Sequence, residues 1–236
     1  MAEPERLSKR VAALAQCSRR EAELYIEGGW VRVDGQVVEE PQFRVADQRV
    51  DIDPSASAEA LEPVTLLLHK PAGMSEQRAL QSLAPATRFA EDRSGIRPLK
   101  KHFAQLRSLL PLPDAASGLA VFSQDGRIIR KLIEDAAIIE QELVAQVTGT
   151  IAENGLAKLC HGLVFEGRPL PPVKASWQSE ERLRFAMKGI RPDFVEWMCA
   201  QVGLRLVALR RIRIARLPMA GLTEGRWRYL LPGERF

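Results

Sequence analysis

Residues 30–41 read WVRVDGQVVEEP. Apolar and polar residues alternate on either side of Asp34-Gly35, a dipeptide suited to the tight turn of a β-hairpin. What precedes this hairpin narrows the fold further. In RLSKRVAALAQ (6–16) the residues Leu7, Val11, Leu14 and Ala15 recur at helical spacing, with Arg6, Lys9 and Arg10 on the other side. Ser18 followed three residues later by Glu21 is a capping-box pattern, so a second helix should start near Arg19 and end at Gly28-Gly29. VDID (50–53) reads as a closing strand. Two short helices on a small twisted sheet therefore fill residues 1–53.

That segment resembles a known family. The pattern R-L-S-K, then S-R-R-x-A, then I-x-x-G-x-V-x-V-D-G, then Pro, looks like the RNA-binding domain named after ribosomal protein S4. The resemblance implies an RNA-binding set of Arg6, Lys9, Arg10, Ser18, Arg19 and Arg20. Arg19 and Arg20 fall in the first turn of the second helix, where free backbone N–H groups and the helix dipole also favour phosphate. Tyr25 and Trp30 are candidates for stacking on bases, although Trp30 opens a strand, where a core role is commoner.

PSASAEALEP (54–63) is small, polar and Pro-flanked, and reads as a linker to a larger domain over 64–236. There, VTLLLHK, GLAVFSQDG, ELVAQVTG, RLRFAM, LRLVALRRIRIARL and RWRYLL are expected strands. A hairpin is expected at Glu166-Gly167, and helices at RIIRKLIEDA and PDFVEWMCAQVG. Strands outnumber helices and few β-α-β units are evident. The expected class is therefore α+β: a small S4-type domain plus a domain built on a mostly antiparallel mixed sheet flanked by helices.

The net charge of +4 is unevenly spread: residues 168–236 carry 14 Lys/Arg against 6 Asp/Glu. A basic final third is what a phosphate-binding surface needs, and is equally met in a solvated basic face. Cys17, Cys160 and Cys199 are odd in number and widely spaced, which implies neither a disulfide framework nor a zinc site. His69, His102 and His161 lack ligand spacing. No apolar run is long enough to span a bilayer, and the first residues lack an apolar leader core. A cytoplasmic monomer with no metal, no cofactor and no membrane partner is expected.

The order of motifs in the larger domain also resembles a family. HKPAG, GL-x-VFSQDG, E-x-ELVAQV-x-G, HGLVFEGRPLPPVKA, RRIRI and GRWRYL fall in sequence as in the RNA pseudouridine synthases of the RsuA/RluB/RluF group. The resemblance runs from Arg6 to Leu231. It implies a metal-free isomerase that detaches a flipped-out uridine base and rejoins it through carbon. Such chemistry needs a carboxylate at the sugar–base bond, an aromatic packing partner and a cation beside the carboxylate.

The three motifs that would supply those groups differ here. Anchored at Gly118-Leu119, the family's aspartate place is Pro113, its arginine place Pro111 and its glycine place Leu110. Asp114 lies one residue too near the glycine; it is either a displaced nucleophile or a turn residue after Pro113. The tyrosine place is Leu143 and the lysine place Gln141. The three arginine places of the late helix are Asp193, Glu196 and Trp197, leaving Arg191 as a substitute cation. The expectation is thus an RNA-binding protein on a synthase scaffold, acting on structured, ribosomal RNA, with isomerisation impaired. Lys174 and the Arg-rich strand 205–216, Arg211 and Arg213 among its residues, would hold backbone phosphates in the larger domain. The alternative is an active synthase with Asp114 as nucleophile and Arg191 as its partner.

Overall fold

In the computed structural model, which describes residues 3–236, the chain divides into two compact units. The first takes the residues up to Pro63 together with Arg97–Ala104, and the second takes Val64–Ile96 with Gln105–Phe236. Residues 56–64 between them in sequence form neither helix nor strand.

The first unit contains α1 (Leu7–Ala15), α2 (Arg19–Glu27), β1 (Val31–Val33), β2 (Gln36–Val37) and β3 (Val50–Ile52). The capping box at the start of α2 is formed: the Glu21 N–H donates to Ser18 Oγ at 3.2 Å, and the Ser18 N–H to Glu21 Oε2 at 2.8 Å. Asp34 and Gly35 both have positive φ, 48° and 81°, as the hairpin turn between β1 and β2 requires. Strand β1 lies between β2 and β3. Leu7, Val11, Ala22 and Ile26 from the helices pack on Val31, Val33 and Val45. The core is shorter than the apolar stripe of α1 suggests. Leu14 is 53% exposed, and the helix ends two residues later at Gln16, a left-handed C-cap with φ 49°.

Arg97–Ala104 completes this unit, although the sequence alone leaves it inside the larger domain. Arg97 lies over the Trp30 ring, 4.6 Å from its centroid, and donates to the Gly28 carbonyl. Gly28 leaves room for this packing, since a Cβ there would stand 2.6 Å from the Trp30 ring nitrogen and displace the ring. Lys101 pairs with Glu27 at 2.6 Å, Lys100 with Glu40, and the Lys100 N–H with Glu39 at 2.6 Å.

The second unit is built on a nine-stranded sheet. Its principal elements are β4 (Thr65–Lys70), β5 (Arg107–Leu109), β6 (Ser117–Ser123), α3 (Gly126–Glu134), β7 (Gln141–Gly149), α4 (Gly155–Cys160), β8 (Lys174–Ser179), β9 (Arg182–Met187), α5 (Phe194–Ala200), β10 (Leu204–Ile214) and β11 (Trp227–Tyr229). The strand order is β8-β9-β7-β10-β6-β4-β11, with β5 beside β6 and Leu217–Pro218 beside β10. All these pairs are antiparallel except β10 with β6. The sheet is therefore mixed and mostly antiparallel, with helices against it. The hairpin at Glu166-Gly167 also forms, pairing Val164 with Pro169 and Phe165 with Arg168.

Two cores lie against the sheet. Leu143, Ala145 and Val147 of β7 and Leu183, Phe185 and Met187 of β9 meet Val195, Met198 and Cys199 of α5. Leu119 and Val121 of β6 meet Leu132 of α3 and Ile214 of β10. At the one parallel pairing, Gly118 lies beside Arg211. A Cβ at Gly118 would lie 2.2 Å from the Arg211 carbonyl oxygen, so only glycine lets β6 come this close to β10.

Candidate active-site cleft and basic surfaces

The loop 110–116 joins β5 to β6 and forms one wall of a cavity of about 750 Å³. Leu110, Pro111, Leu112 and Pro113 face Ala136, Ala137, Gln141 and the segment Gly189–Asp193 across it. Pro113, Gln141, Arg191 and Asp193 are far apart in sequence, and the fold brings them to one cleft. These are the aspartate place, the lysine place, the candidate substitute cation and one arginine place of the resemblance described above. The lining is mainly apolar, with Gln141, Arg191 and Asp193 as its polar side chains.

No carboxylate stands at the aspartate place, and the acid in the cleft is already matched. Arg191 holds Asp193 through both nitrogens of a fork, with Nε to Oδ1 at 3.0 Å. Leu143 is fully buried and packs with Leu112, Ala116 and Phe185, extending the core toward the loop. Trp197 stacks edge-on with Phe165, centroids 5.2 Å apart, and Phe165 meets Phe194 at 4.9 Å. The tyrosine place and one arginine place thus carry apolar packing, while Glu196 points to solvent.

Asp114 is exposed, and the ion pair of Arg191 is with Asp193. Its backbone carbonyl accepts from the Gly73 N–H at 2.8 Å and from Lys70 Nζ at 3.0 Å. Lys70 is buried, and its ammonium is shared with the Pro71 and Met74 carbonyls at 3.1 and 2.7 Å. Burial pushes the Lys70 pKa down; the negative charge of Asp114 opposes that shift and the positive charge of Arg211 adds to it.

Arg211 departs most from expectation. It is fully buried, so it does not lie on a phosphate-holding surface. Its Nε donates to the Leu119 carbonyl at 2.8 Å, and its Nη1 donates to the Leu110 carbonyl and Gln141 Oε1, both at 2.7 Å. Burial brings its pKa down to about 9, which leaves it charged at neutral pH. Simple alternation puts Arg211 and Arg213 on one face of β10, but two register shifts change this. One between Leu206 and Ala208 turns Arg211 to the core face, and one between Arg211 and Arg213 separates the two arginines. Arg211 therefore lies opposite Leu143 on the core face, and Arg213 opposite Glu142 on the other.

Arg213 is half-buried and ion-paired with both Glu140 and Glu142 at 2.6 Å. Those pairs keep the Glu140 carboxyl below the usual carboxylate range. Lys174 is exposed at the start of β8. The sequence does not reveal Lys70 and Arg211 as loop supports. HKPAG marks the first by position but not by role, and the register shifts hide the second.

Leu110 carries another trace of the resemblance. At the family's glycine place the backbone keeps a left-handed conformation, φ 49°, although the residue is leucine. The Arg211 bond to its carbonyl helps hold that conformation.

The N-terminal basic set divides in two. Arg6, Lys9, Arg19 and Arg20 are exposed. Lys9 reaches Glu5 at 3.3 Å, and Arg19 and Arg20 reach Glu23 only loosely, at 3.6 and 3.7 Å. Arg10, by contrast, is engaged by Glu5 at 2.6 Å and the Ala46 carbonyl at 3.0 Å. Ser18 is engaged as the helix cap. Trp30 lies under Arg97, and Tyr25 packs against the small core. Among the described residues there is no cluster of three or more metal-ligating His, Cys, Asp or Glu side chains, and no helix is long and apolar enough to cross a membrane.

Residues 5–50 match the S4 domain family. A ribosomal large subunit pseudouridine synthase B of Bacillus subtilis is 29% identical over 241 residues, covering 98% of this chain and 93% of that one. An uncharacterized RNA pseudouridine synthase of Aquifex aeolicus is 27% identical, covering 97% and 94%. The dual-specificity RNA pseudouridine synthase RluF of Escherichia coli is 24% identical, covering 97% and 76%. A crystal structure of a pseudouridylate synthase superposes with a TM-score of 0.58 at 20% identity, over 95% of each chain, and supports the fold. By sequence along almost its full length, and by fold, this chain is a homologue of the RNA pseudouridine synthases that begins with an S4 domain.

Proposed function

We propose that this protein binds structured ribosomal RNA and holds a nucleotide in its cleft without isomerising it. The first unit engages RNA through Arg6, Lys9, Arg19 and Arg20, and the second presents the cleft. The ribosomal target rests on the names of the relatives. One observation carries the loss of chemistry: the cleft has proline where a nucleophilic carboxylate is needed, and its own acid is neutralised by Arg191. A proline side chain offers neither acid nor hydrogen bond. An apolar cleft still accepts a base by packing. The working form is read as a cytoplasmic monomer that uses no metal or cofactor.

A second reading has one observation in its favour. Buried Lys70 donates to the Asp114 carbonyl at 3.0 Å, and the negative charge of Asp114 opposes the lowering of the Lys70 pKa by burial. A cation is thus at hand for Asp114 to act as a displaced nucleophile, with Lys70 in the place expected of Arg191. Tritium release from ribosomal RNA labelled at uridine C5, prepared from cells lacking the protein, separates the two. The binding-only reading expects no release, together with tight binding of the same RNA. Release that vanishes in Asp114→Asn establishes the enzyme instead.

A further inference from the structure

The four strands β8, β9, β7 and β10 lie side by side, and the face turned away from the core around Leu143 and Phe185 carries exposed basic side chains around buried Glu142 and Val144. Cross-strand register fixes what that face carries. Ser176, Arg184, Val144 and Arg210 form one row across the sheet. Lys174, Ala186, Glu142 and Arg213 form the next. Arg182, Gln146 and Ala208 lie on the other side of the first row, with Thr148 and Arg205 beyond. Lys174, Arg182, Arg184, Arg205 and Arg210 are all exposed. Strand spacing makes the patch roughly 14 Å wide and about 20–25 Å long.

The acids on this face are already used. Glu142, itself buried, is shared by Arg184 and Arg213, and Glu140 belongs to Arg213. Glu180 and Glu181 occupy the turn at the far end of β8 and β9. Among the described residues, Arg182, Arg205 and Arg210 have no acidic partner. A sheet face with three or more such guanidinium groups favours a polyanion. No aromatic side chain joins them: Trp177 pairs with Leu183, on the opposite face. Stacking of unpaired bases, the usual means of holding single strands, is therefore not offered. Phosphate binding is offered, and it suits the regular backbone of a helix.

We infer that this basic sheet face, through Arg182, Arg184, Arg205, Arg210 and Lys174, binds the sugar–phosphate backbone of an RNA duplex irrespective of its sequence. The inference rests on the RNA-binding reading above and adds a surface separate from the cleft. Arg182 and Arg184 lie outside the phosphate-binding set expected from the sequence, which is Lys174 and the strand 205–216.

The test uses the full chain and a perfectly paired RNA duplex of about two turns, with binding measured across a salt series. Arg182→Gln, Arg205→Gln and Arg210→Gln combined should weaken binding on the order of tenfold to a hundredfold. The slope of log K against log salt should flatten by about 2–3, since each phosphate no longer neutralised removes a little under one unit. A shuffled duplex sequence should give the same numbers. The corresponding triple Lys variant, which keeps the charges, should retain most of the slope. A Gln variant that binds like wild type overturns the inference and leaves the RNA-binding reading intact, as does a Lys variant whose slope falls as far as that of the Gln variant. Wild-type protein that binds single strands but not the duplex overturns the inference alone. Wild-type protein that binds no RNA overturns both.

Discussion

Arg19 and Arg20 at the start of α2 and Arg211 in the middle of β10 are the same kind of residue in opposite circumstances. The first two stand in water, held loosely by Glu23 at 3.6 and 3.7 Å. The third is buried and makes three hydrogen bonds, two to backbone carbonyls and one to Gln141. An exposed guanidinium with a weak partner gives up little when it exchanges that partner for phosphate. A buried one fixes the carbonyls it touches and is out of reach of any ligand. Basic composition alone does not distinguish the two; burial and partners do. The larger unit therefore has fewer ligand-ready cations than its charge suggests, because Lys70, Arg211 and Arg213 are committed inside it.

The largest expected effect comes from breaking the buried member of this comparison. Arg211→Met removes three charge-assisted bonds and leaves the Leu110 and Leu119 carbonyls without that donor. It should cost about 3 kcal/mol or more, read as a lower midpoint in urea unfolding at unchanged slope. A destabilisation under about 1 kcal/mol would mean that the loop needs no such anchor. The exposed member should behave in the reverse way. Arg19→Ala with Arg20→Ala should alter stability by no more than about 0.5 kcal/mol. RNA affinity should fall on the order of tenfold, with a salt slope flatter by about 1.5. An unchanged slope would remove the first unit from the binding surface. The smallest effect is expected at Leu110. In Leu110→Gly, relief of the left-handed strain should offset most of the cost of removing the apolar side chain, for a net destabilisation below about 1 kcal/mol. A larger effect in calorimetry would show that the side chain, rather than the Arg211 bond, sets the loop.

Much of this fold is legible because local chemistry and tertiary structure agree. Ser18 with Glu21, Asp34 with Gly35, and Glu166 with Gly167 each specify their own geometry within a few residues, and each forms as read. Strands β4 and β6 of the larger unit are legible as short apolar runs, and β10 from alternation. Alternation also explains the failure at Arg211: two register shifts in β10 change which side chains face inward, and nothing in LRLVALRRIRI announces them. The cleft is half legible. Motif order brings Pro113, Gln141 and Asp193 into consideration, and the fold gathers them. The role of Lys70 is not legible, because its partners are backbone carbonyls, which leave no trace in side-chain patterns.

Because Arg97–Ala104 is part of the first unit, the chain passes from one unit to the other three times rather than once. An S4 domain is easily pictured as a detachable module, joined or removed by recombination in the linker at 54–63. Here a cut at that place would yield an incomplete piece: Trp30 would be without Arg97, Glu27 without Lys101, and Glu39 and Glu40 without Lys100. The S4 segment of this protein is thus completed by residues 97–104, and gene fusions or truncations designed around residue 63 would separate parts that the fold completes together.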